Sequence, residues 1–303
     1  MADPKRGPNS VRLPAVAGMF YPADAGACSA LAKSFVEGAA VKSAAEKSWI
    51  GGIVPHAGWV CSGAIAGQTM AAISRSQADR KVDVVVVFGA IHNRQPIAAA
   101  ALDSHARWDV PGGTSQLPEE LERRLIESSA DLFCVDERFH SHEHAVEVEL
   151  PLIQIAWPDA SILPVEVPVI DAAAQIGIAT AKQLANADMS AVFLASSDLT
   201  HYGPAYGFAP AGVGIGGLEW AKGNDRRLLD LVTDMAIDRI VPEVRNRLNA
   251  CGAGAITAML AACREMGAMC GEVLRHANSF EALQGIASHG PENAVGYAAV
   301  VIG

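Results

Sequence analysis

The chain has 303 residues, half of them hydrophobic and 18% charged, which suits a well-buried globular protein and excludes a disordered one. Its formal net charge is −10 and its Lys and Arg are scattered, which argues against a nucleic-acid groove or an anionic membrane as partner. The longest apolar runs, such as VDVVVVFGAI, fall short of the ~18 to 20 residues of a membrane span, and MADPKRGPNS lacks a signal-peptide core, so a cytoplasmic protein is expected.

In chain order, VAGMFYPAD leads into a helix from about Ala25 to Gly38, and an Ala/Lys/Ser linker leads to the strand WIGGIVPHAG. A helix from about Ser62 to Ser74 precedes the strand VDVVVVFGA and a second apolar run, QPIAAAALDS, expected to pair beside it. WDVPGGT is a turn, LPEELERRLIESS an amphipathic helix, and HEHAVEVELPLIQIAWP a further helix with Pro151 in its first turns. SILPVEVPV and AVFLASSD are strands with the helix DAAAQIGIATAKQLAN between them. A glycine-rich connection then leads to a polar helical stretch around Lys222 to Asn249, the alanine-rich helix ITAMLAAC, an unassigned segment through FEALQGIASHGPEN, and the final strand AVGYAAVVI.

Strands alternating with helices imply an α/β fold, and continuous Val/Ile/Leu runs imply strands covered on both faces. Residues 1–303 are therefore expected to form a single domain with a largely parallel central sheet flanked by helices. In such sheets ligands bind outside the carboxyl ends of the strands. Three strands each deliver a histidine there: His56 after IGGIV, His92 after VVVVFGAI, and His201 after AVFL. Converging imidazoles suit a metal or acid/base site.

Behind AVFL, the segment ASSDLTHYG holds Ser196, Ser197, Asp198 and His201, placing a carboxylate three residues from an imidazole, as a general base or its orienting partner would be. SHEHAVEVELP repeats that spacing with His144 and Glu147; a solvated helix start is the preferred reading of His142, Glu143 and Glu149. The segment lacks the HExxH spacing of a zinc protease. The six cysteines include no CxxC pair, and Cys251 stands apart in NACGAGAI, where glycines and a helix start would lower its pKa. GVGIGG follows a loop and is not a dinucleotide fingerprint, and no GxSxG elbow surrounds Ser196 or Ser197.

These motifs, in this order, resemble the MEMO family, whose prokaryotic members are called AmmeMemoRadiSam system protein B: VAGMFYPAD, PHAGW with CSG, GAIHN, EHAVEVELP, SSDLTHYG, CGAGAI and VGYAAV. The resemblance implies a fold like the LigB-type class III extradiol dioxygenases and a metal site of His56, His92 and Cys251. Asp198 and His201 would act in the pocket as acid/base residues, with His144, Glu147, Ser197 and Trp59 lining it. Trp59 and Cys61 stand where tyrosines are common in the family. A two-histidine, one-thiolate set favours Fe(II), with Cu or Zn as alternatives. The function expected is a non-haem metal-dependent redox enzyme, dioxygenase-like, acting on an unidentified small molecule. The alternatives are a non-catalytic module binding a phosphopeptide or small ligand in the same pocket, and a zinc-dependent hydrolase. The resemblance also implies AMMECR-type and radical-SAM companion proteins.

Overall fold

Val84–Ala90 reads VVVVFGA and all of its residues are buried, because this strand (β3) lies at the centre of a sheet covered by helices on both faces. The computed structural model describes residues 10–41, 48–284 and 290–303. Most of the expected Ala/Lys/Ser linker and the middle of the FEALQGIASHGPEN segment lie outside the described residues.

The elements in chain order are β1 (Val11–Arg12), α1 (Ala25–Val36), β2 (Gly51–Val54), α2 (Trp59–Ser76), β3, β4 (Ala100–Leu102), β5 (Arg107–Val110), β6 (Gly113–Gln116), α3 (Glu119–Ser128) and β7 (Phe133–Val135). There follow α4 (Leu150–Ala156), β8 (Ser161–Val167), α5 (Ala173–Asn186), β9 (Ala191–Ser196), β10 (His201–Tyr202), α6 (Ile215–Thr233), α7 (Ile237–Arg247), α8 (Ala253–Glu265), β11 (Gly271–Asn278), α9 (Ser279–Ala282) and β12 (Ala294–Ile302). The main sheet runs β10-β12-β2-β9-β3-β8-β4-β7, with β11 also on β12; β1, β5 and β6 form a separate small sheet.

The architecture is α/β, and the sheet is mixed rather than largely parallel. Its centre, β2-β9-β3-β8, is parallel, whereas β12 pairs antiparallel with β2, β10 and β11, and β4 antiparallel with β8. The apolar run holding β4 therefore pairs with β8 and β7, not with β3. WDVPGGT makes the β5–β6 hairpin. The helix expected across HEHAVEVELPLIQIAWP is confined to α4, preceded by a 3-10 turn at Glu147–Glu149; Pro151 falls in its first turn, where a missing N–H costs nothing. The polar stretch before Asn249 is two helices, α6 and α7.

The parallel register positions the site. Val54 of β2 is level with Ser196 of β9, and Phe88 of β3 with Ala195, so the residues just beyond these strands emerge at one sheet edge. One core cluster, under α5, α7 and α8, fills one face of the sheet; a second, under α1, α2 and α4, fills the other. Among the described residues no helix is long and apolar enough to cross a membrane.

Candidate metal centre

His56 and His92 each lie two residues beyond a strand end, and His144 joins them from the turn before α4. Their ring nitrogens lie within 4.8 Å of one another, close enough to hold a metal ion. His92 and His144 stack at 4.5 Å, and His56 stands edge-on to both.

Hydrogen bonds fix the tautomers. The Ser196 hydroxyl donates to Ala145 O (2.5 Å), so its oxygen accepts from His56 Nδ1 (2.8 Å). Glu143 Oε1 accepts from His92 Nδ1 (2.8 Å) and lies 3.1 Å from His144 Nδ1. Each imidazole thus turns Nε2 away from its protein partner, as a histidine ligand requires. Glu143 is itself held by the backbone N–H groups of His92, His144 and Ala145. Burial pushes the Glu143 carboxyl up, but its bonds to His144 and His92 outweigh this and hold it well below the usual range. Burial, with His92 and His144 nearby, keeps His56 well below its ordinary value and therefore neutral. Burial also opposes charge on His92, yet Cys251 and Glu143 together raise its pKa. His92 must give up that proton before its Nε2 can act as a ligand.

Cys251 precedes α8 and reaches the same edge, its Sγ 3.2 Å from His56 Nε2. Two glycines allow this. A Cβ on Gly252 would stand 2.7 Å from Ser197 Cβ, and one on Gly254 2.2 Å from Pro168 O. Ser197 Oγ accepts from Gly252 N (2.9 Å) and lies 3.8 Å from the sulfur, so it holds the cysteine turn rather than facing the open cavity.

Beside the histidines lies a cavity of about 590 Å³ that His144, Asp198 and His201 all line. His201 Nδ1 donates to Leu199 O (3.1 Å), and burial lowers its pKa, leaving a neutral ring with Nε2 free to accept a proton. Asp198 Oδ1 accepts from His56 N (2.9 Å); burial raises its pKa to about 7 against the backbone N–H groups of His56 and Ala57.

Like Ser197, two further residues expected in the pocket are elsewhere. Glu147 is fully buried and turned the other way: it ion-pairs with Arg12 and accepts from Ala15 N (2.7 Å), Val16 N (2.9 Å) and the Tyr21 hydroxyl (2.8 Å). It fastens residues 12–21, which bring Phe20 onto the His144 ring at 4.8 Å. Trp59 packs between Tyr21 and Phe35, its indole N–H donating to Val148 O (3.0 Å), and serves as a prop behind the centre. Glu143, read from the sequence as a solvated helix start, is 6% exposed and orients two imidazoles; a carboxylate next to a histidine was the only signal for it.

An α/β protein with a histidine-rich candidate metal centre at the carboxyl edge of its parallel strands is the class that this geometry defines. The family model for Memo-like protein matches residues 12–301. The chain is 33% identical over 302 residues to a MEMO1 family protein of Methanococcoides burtonii, covering 96% of this chain and all of the relative. It is also 33% identical to one from Thermococcus onnurineus (96% and 99% covered) and 31% identical to one from Methanosarcina barkeri (96% and 100%). The chain belongs to the Memo family.

Proposed function

We propose that this protein is a metal-dependent redox protein, dioxygenase-like in its site, which binds a transition metal through His56, His92 and Cys251, with His144 as a further donor. One observation carries the reading: three imidazoles whose nitrogens lie within 4.8 Å of one another, with a thiol 3.2 Å from one of them. Imidazole with thiolate suits iron, copper or zinc, and does not suit magnesium or calcium, which take oxygen ligands. Fe(II) is the ion we favour, and we read the α/β architecture as being of the class III extradiol dioxygenase type.

When bound, such an ion supplies Lewis acidity and a one-electron couple. The chain's own residues do the rest. Glu143 holds the His92 and His144 rings in place, and Ser196 does the same for His56. His201, neutral and with Nε2 free, takes a proton from a ligand in the cavity. Asp198 shares the cavity wall and can exchange a proton with that ligand near neutral pH. Phe20, packed on His144, keeps water from one side of the centre.

The test is metal analysis of anaerobically purified protein beside His92→Ala and Cys251→Ser. Near-stoichiometric metal in the wild type, with loss in both variants, is expected. Metal content unchanged in both folded variants refutes the site.

A further inference from the structure

The cavity beside the histidines has a composition of its own. Four aromatic rings line it: Phe20, Tyr206, Phe280 and Tyr297. Its acidic side chains are Asp198, close to the histidines, and Glu292; no Lys or Arg is among the described lining residues. Tyr206 stands 47% exposed, its ring edge-on to His201 at 5.1 Å. Glu292 is also exposed, whereas Tyr297 is 2% exposed and Asp198 4%.

We propose that this cavity selects an organic cation, an ammonium group carried on an apolar body, as its substrate or ligand. The proposal rests on reading the cavity as the substrate site of the metal centre, and adds the charge class of what enters. Aromatic faces are electron-rich and attract a cation within about 6 Å of the ring centroid. An apolar body gains from burial against the same rings. An anion would leave water for a wall whose acidic groups are Glu292 and Asp198 and which has no Lys or Arg among its described residues, so its desolvation would go uncompensated. His201 does not change this, because burial keeps its ring neutral. Nor does a divalent ion at the histidines, since a ligating Cys251 thiolate and the Glu143 carboxylate offset its charge locally. A volume of about 590 Å³ is of the size that takes a whole small molecule.

The experiment uses three probes built on one benzyl group: benzyltrimethylammonium, neopentylbenzene and benzylphosphonate. The ammonium has no lone pair and cannot ligate a metal, so its binding reports the wall alone. Calorimetric titration is done on the full chain, both chelator-treated and metal-loaded. The expected result is saturable binding of the ammonium in both forms, at least tenfold tighter than the phosphonate in the metal-free form. Tyr206→Leu and Glu292→Gln should each weaken it by threefold or more, and Tyr206→Phe should preserve it. Equal or tighter binding of the phosphonate to metal-free protein overturns the proposal, and so does failure of the ammonium to bind. Neither result touches the metal reading, which stands or falls on metal content in His92→Ala and Cys251→Ser.

Discussion

Glu143→Gln isolates what orients the histidines. The carboxylate is 4% exposed at its side chain; one oxygen serves His92 Nδ1 and His144 Nδ1, and the backbone N–H groups of His92, His144 and Ala145 complete its shell. Glutamine keeps the size but not the charge: with its oxygen in the Oε1 place its NH₂ meets the His92 backbone N–H, and turned over it meets both imidazoles, so a donor faces a donor either way and the imidazoles lose their bond to a charged group. A hydrogen bond to a charged group contributes about 1.5 to 3 kcal/mol. Losing such a bond behind a metal-binding histidine typically lowers metal affinity by about 10- to 100-fold, or roughly 1.4 to 2.7 kcal/mol. Competition against a chromophoric chelator measures that change, with circular dichroism as the check on folding. A folded Glu143→Gln protein with wild-type affinity would falsify the idea that this carboxylate sets the imidazoles.

Three other outcomes are expected. Glu147→Ala leaves Arg12 buried without its carboxylate and should cost about 3 to 5 kcal/mol in urea unfolding; a loss below ~1 kcal/mol would count against the latch. Gly254→Ala forces a Cβ to within 2.2 Å of the Pro168 carbonyl, which is backbone and cannot rotate away. It should destabilise by about 1 to 3 kcal/mol and weaken metal binding by moving Cys251, whereas an unchanged melting temperature would show that α8 has room. Glu166 is fully buried with neither oxygen hydrogen-bonded among the described residues, and burial, with Glu143 nearby, raises its pKa well above the ordinary 4.5. The folded chain thus keeps a proton that the unfolded chain releases, and stability falls as pH rises past about 4.5. Glu166→Gln removes that slope, so melting curves from pH 5 to 8 should separate increasingly in the variant's favour; parallel curves would contradict it.

The strands nearest the centre were legible because burial on both faces leaves an unbroken apolar run, and His56 and His92 follow such runs directly. Strand direction was not legible, since AVGYAAVVI looks the same whether it runs with or against β2. β11 was unassigned because GEVLRHAN is charged and half-exposed along most of its length. The turn before α4 misled for another reason. His144 and Glu147 are three apart and would share a helical face, but the backbone there is a turn followed by a 3-10 segment, so the two diverge. What separates them is Arg12, far away in the sequence, and no local pattern announces such a partner.

The order in which the donors appear along the chain has a consequence for synthesis. His56, His92 and His144 leave the ribosome well before Cys251, and β2, which leads into His56, has β9 and β12 as its sheet neighbours among the described residues. Until β9 and β12 are both made, His56 has no finished scaffold to hold it. Pairings between such distant segments form slowly. The imidazoles are therefore made before Cys251 and before β12, and the full donor set comes together only once segments far apart in the sequence have paired.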